Sequence, residues 1–100
     1  MNKLFIIVLR YIATIEKIDL VRSSHLKFLD EYYKRGNFIV SGRQNPVTGG
    51  IIISRGNNRS EIQEIIKLDP FYKENLAEFN IYEFSPNKCS DDVEFFKQFL

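Results

Sequence analysis

The chain has 100 residues, 44% hydrophobic and 27% charged, which suits one globular domain over 1–100 and leaves no room for two independent cores. Fourteen basic residues against 13 acidic ones give a net charge of +1, so there is no electrostatic reason to expect nucleic acid or an anionic membrane as partner. One histidine and one cysteine, Cys89, exclude an intramolecular disulfide and a typical zinc set; no metal or other cofactor is expected, and a lone thiol suits a reducing cytoplasm.

Lys3 followed by the apolar run Leu4 to Leu9 imitates a signal peptide. The run is too short for a signal core and Arg10 ends it, so a buried strand over about Lys3–Ala13 is the better reading. Ile15 to Asp19 reads as a polar bend, with Asp19 as N-cap of a first helix over about Leu20–Arg35. Val21, Phe28, Leu29 and Tyr32 form its apolar stripe, and Gly36 is placed to close it in a left-handed cap. Strand two follows at Phe38–Gly42, a polar turn at Arg43–Gly50, and strand three at Ile51–Ser54. Asn58 or Ser60 starts a second helix, with Glu61 completing a capping box from Asn58. Asp69-Pro70 breaks that helix, strand four runs over about Leu76–Phe84, and the tail from Ser90 or Asp91 to Leu100 is expected to dock as a helix.

The order is β-α-β-β-α-β, an α+β arrangement of the ferredoxin-like kind. Strands one and three are its inner strands, and they are also the two that read as apolar on both faces. Helices cover only one face of such a sheet, and a second copy covering the other predicts a homodimer through sheet faces. Strand three, Gly50-Ile51-Ile52-Ile53-Ser54, carries no aromatic on which a base could stack, which argues against RNA binding.

Four places could carry chemistry. His25, the only histidine, lies four residues after Val21 and three before Phe28, on the apolar stripe; it is either a packed histidine satisfied by a carbonyl or a functional imidazole. Asp69 is either an N-cap with Pro70 at the first helical position or a carboxylate that reaches His25 across the sheet. Ser41-Gly42 is either a strand-end turn or a hydroxyl and an open backbone beside a substrate. Arg22, three residues before His25, is either an exposed helix arginine or an anion clamp.

His25-Leu26-Lys27-Phe28-Leu29, Gly36-Asn37-Phe38, Ser41-Gly42-Arg43-Gln44-Asn45-Pro46, Gly49-Gly50 and Asp69-Pro70-Phe71 resemble, in order and spacing, the YCII-related family, most strongly over 3–86. That resemblance implies a dimeric α/β-barrel type of ferredoxin-like fold and an active site built on a His25–Asp69 pair with Ser41 in the same pocket; with Gly42, Arg22, Arg43 and Phe71, Ser41 makes up the expected substrate-binding set. Many relatives carry Ser-Gly-Pro where this chain has Ser41-Gly42-Arg43, so the pocket rim is expected to differ in shape and charge. The functional expectation is a cofactor-free enzyme doing elimination, isomerisation or similar proton transfer on a small organic molecule. A dimer that binds a small ligand without turnover is the alternative.

Overall fold

Period-two alternation along the first strand sets the layering. The computed structural model describes residues 3–100, so the first two residues of the expected 1–100 domain lie outside the described residues. β1 (Lys3–Tyr11) sits inside a four-stranded antiparallel sheet with β2 (Phe38–Arg43), β3 (Gly49–Gly56) and β4 (Ala77–Phe84), in the order β2-β3-β1-β4. Phe5, Ile7 and Leu9 point to the face that carries the helices and are buried with Ile52 of β3. Against them pack Ile18, Phe28 and Leu29 of α1 (Ile15–Lys34) and Ile62, Ile65 and Ile66 of α2 (Arg59–Ile66). A short α3 (Pro70–Lys73) delivers Phe71 to the same core. The expected strand and helix order is found, with α3 added between α2 and β4.

Several boundaries differ from the sequence reading. α1 starts at Ile15, not Leu20, and its N-cap is Thr14, not Asp19. The Thr14 hydroxyl accepts the Lys17 N–H at 3.3 Å, and Ile18, placed in the expected bend, is fully buried as the first core residue of the helix. Asp19 is helical and instead holds Arg22 one turn on. β1 ends at Tyr11 and β3 gains residues at both ends, running Gly49–Gly56. The expected helix of the tail is a 3-10 helix at Glu94–Phe99, starting later than Ser90 or Asp91, and it buries Phe99.

The helix ends follow their local chemistry. Gly36 adopts φ 89°, and the N–H groups of Gly36 and Asn37 bond the carbonyls of Tyr33 and Tyr32, which closes α1 in a Schellman motif. Asn58 caps α2 by accepting the Glu61 N–H at 2.9 Å, while the Glu61 carboxylate accepts the Asn57 N–H at 2.7 Å. The other sheet face carries Leu4, Ile6, Val8, Val40, Ile51, Ile53 and Tyr82, and neither α1 nor α2 packs on it; Leu4 is buried at one end, whereas Val40 and Tyr82 are 50% and 57% exposed. No helix among the described residues is long and apolar enough to cross a membrane.

Candidate active site

α1 presents His25 to the core because Ile18, His25, Phe28 and Leu29 share its inward face. A buried imidazole must find hydrogen-bond partners there. His25 Nδ1 meets Asp69 Oδ1 at 2.9 Å, and the Asp69 side chain is completely buried. Phe71 fixes the ring from its face: the two rings are parallel within 10° with centroids 4.1 Å apart.

Asp69 is brought there by its own capping role. As N-cap of α3, with Pro70 at the first helical position, it accepts the Phe71 N–H at 2.9 Å on the oxygen that also meets His25. The two readings of Asp69 are therefore one arrangement: the cap orients the carboxylate, and the carboxylate faces the histidine. An ionised carboxylate only accepts, so the ring carries a hydrogen on Nδ1, and in its neutral form Nε2 holds the lone pair. Asp69 Oδ2 is buried without a hydrogen-bond partner among the described residues.

His25 lines a cavity of about 240 Å³ together with Arg22, Ser41, Gly42, Arg43 and Phe71. Six of the seven residues singled out in the sequence thus share one space, and Asp69 stands behind the histidine. Their elements differ: α1 supplies Arg22 and His25, the end of β2 supplies Ser41 to Arg43, and α3 supplies Phe71. Arg22 is already held, since its Nη2 and Nε donate to Asp19 Oδ1 at 2.8 and 3.2 Å. The Asp19 bond raises the Arg22 pKa above its ordinary value, burial opposes this, and the Tyr11 hydroxyl adds a smaller push upward. The Arg43 side chain makes no hydrogen bond or ion pair among the described residues, so its guanidinium is the available cation at the rim.

Two residues escaped the sequence reading. Tyr33 donates to or accepts from Ser41 at 2.6 Å, which joins α1 to β2 across the cavity edge. Its signal was helical spacing, since His25, Leu29 and Tyr33 follow one another at intervals of four. Tyr11 lines the cavity from the end of β1 and meets Phe71 edge-on, with centroids 6.1 Å apart. As the last residue of an apolar strand it gave no signal of its own.

An antiparallel sheet with helices on one face, a buried histidine–carboxylate pair and a small cavity beside it define a compact α+β protein with a chemically equipped pocket. The chain belongs to the YCII-related family, whose domain profile matches residues 4–85. No curated protein matches it. Among solved structures it is similar in fold to the 5-chloro-2-hydroxyhydroquinone dehydrochlorinase of Burkholderia phenoliruptrix AC1100, solved in complex with 2,5-dihydroxybenzoquinone. The TM-score is 0.71 at 18% identity, over 81% of this chain and 92% of the other.

Proposed function

We propose that this chain is a cofactor-free enzyme of ferredoxin-like fold that performs acid/base chemistry on a small organic molecule, as a dimer joined through its open sheet faces. The observation that carries this reading is the 2.9 Å contact between His25 Nδ1 and Asp69 Oδ1 at the wall of a cavity. His25 Nε2 takes a proton from substrate carbon, the C–H electron pair forms a new double bond, and a leaving group departs from the neighbouring carbon with its own pair. Asp69 is a positioning residue that keeps Nδ1 protonated and stabilises the imidazolium. Ser41 binds a polar substrate group and Arg43, with Arg22, an anionic one. Returning the proton to a different atom makes the same pair an isomerase. Phosphoryl transfer, which normally draws on metal ions, fits such a pair less well.

Support for elimination comes from the dehydrochlorinase of similar fold, whose named reaction is of that type. A cavity of about 240 Å³ matches a substrate the size of a single ring. The test is a panel of chlorinated hydroquinones and β-halo or β-hydroxy carbonyl compounds, followed by absorbance and halide release. Turnover that falls by about 10²–10⁴ in His25→Ala supports the proposal. Turnover that is unchanged in the variant sinks it. Saturable binding without any turnover transfers the pocket to the second reading, a non-catalytic ligand-binding dimer.

A further inference from the structure

The molecule has a second cavity, larger than the first and made by other residues. A cleft of about 510 Å³ lies between α2 and the edge strand β4 and shares no lining residue with the His25 cavity. Arg59 and Gln63 of α2 and its C-cap Lys67 follow at intervals of four and form one wall. Tyr72 of α3 and Phe79 of β4 face them, with Ile66 and Ile81 among the apolar lining, while Asn80 and Tyr82, whose side chains lie on the opposite sheet face, border the cleft along the edge of β4. Tyr72 and Phe79 meet edge-on at 5.8 Å, which stiffens that apolar wall.

Charge points to the occupant. Of the six arginines, Arg10, Arg22 and Arg35 pair with Glu78, Asp19 and Glu31, and Arg55 donates to the Gly36 carbonyl. Only the Arg43 and Arg59 side chains make no hydrogen bond or ion pair among the described residues, and each lines a cavity. Lys67 adds a second cation to that wall, paired with the exposed Glu64, and among the described residues no carboxylate lines the cleft. β4 bonds to β1 on one side alone, so part of its backbone N–H row also faces outward beside the cleft. A free guanidinium favours two-point bonding to a carboxylate or similar oxyanion, and Tyr72, Phe79 and Ile66 suit a ring or branched apolar body.

We propose that this cleft is a second binding site, for a small carboxylate or similar oxyanion carried on an aromatic or branched apolar body. The site stands apart from the acid/base pocket and does not depend on what that pocket does. It is tested on the full chain by amide NMR titration with 2-naphthoate and with its uncharged counterpart 2-naphthalenemethanol. Saturating shifts are expected at Arg59, Gln63, Lys67 and Asn80. Affinity should weaken at least about fivefold in Arg59→Gln and by a similar factor for the alcohol, since each change removes one charge from the pair. Arg59 is exposed, so the variant keeps its fold. Shifts confined to the His25 cavity, equal affinity for acid and alcohol, or unchanged binding in Arg59→Gln would each overturn the proposal.

Discussion

One oxygen of Asp69 serves two partners, the Phe71 N–H and His25 Nδ1, and this doubling makes the residue separable into its parts by mutation. Asp69→Ala removes both a cap and a buried histidine partner, and His25→Ala removes only the second. If the two side chains interact as the geometry describes, a double-mutant cycle on urea stability gives a coupling of about 1–3 kcal/mol. Additive effects would reduce Asp69 to a helix cap. The tautomer is a second check at this scale. With a single histidine in the chain, long-range ¹H–¹⁵N spectra of the neutral ring should show Nδ1 protonated and Nε2 bare. In Asp69→Asn that preference should be lost; a bare Nδ1 in the native protein would remove the base from the pocket. Residue type and local pattern made much of this place legible: a histidine on an apolar stripe and an acid before proline both stand out. The distance between them did not, because 44 residues of chain separate the partners and only the fold closes that gap. Tyr33 was hidden for a related reason, since a half-exposed helical tyrosine reads as surface until β2 brings Ser41 against it.

At the scale of elements, the sequence was clearest where a residue type has one local use. Gly36 in the left-handed region and Asn58 with Glu61 are such cases. It misled at the start of α1, where Glu16, Lys17 and Asp19 made Ile15–Asp19 look like a bend. Ile18, three residues before Val21 and seven before His25, already continued the stripe backwards, and its complete burial shows which signal governs. The β2–β3 hairpin offers a sharp contrast between two glycines of similar appearance. A Cβ on Gly49 would lie 1.7 Å from the Leu9 carbonyl oxygen, against backbone that cannot yield without parting β3 from β1. A Cβ on Gly42 meets nothing within 4 Å. Gly49→Ala should therefore destabilise by about 2 kcal/mol or more, whereas Gly42→Ala should change stability by less than about 0.5 kcal/mol. Urea denaturation of both variants checks the pair, and equal stabilities would mean that β1 and β3 are less tightly apposed than the structure has them.

For the whole molecule the decisive quantity is surface. The chain exposes 6370 Å², against about 5,900 Å² for a typical monomer of its mass. Part of the exposed apolar surface lies on the sheet face opposite the helices, where Val40, Ile51 and Tyr82 stand open around the more sheltered Ile6, Val8 and Ile53. The C-terminal tail reaches one corner of the molecule near this face, with the Arg55 guanidinium 5.5 Å from the Phe95 ring centroid, and the middle of the face stays bare. A patch of contiguous apolar side chains on the central strands is the signature of a protein interface. A two-fold partner presenting the same patch would satisfy it. Sedimentation equilibrium at micromolar concentration should accordingly return about twice the 11.8 kDa chain mass. Ile6 is the residue to change, because it lies on an inner strand between Ile53 and Tyr82 and lines neither cavity. Ile6→Lys should give a folded monomer, since a lysine that is tolerable beside water becomes a buried, unpaired charge between two sheets. A native protein that sediments as a monomer, or a variant that stays dimeric, would move the interface elsewhere.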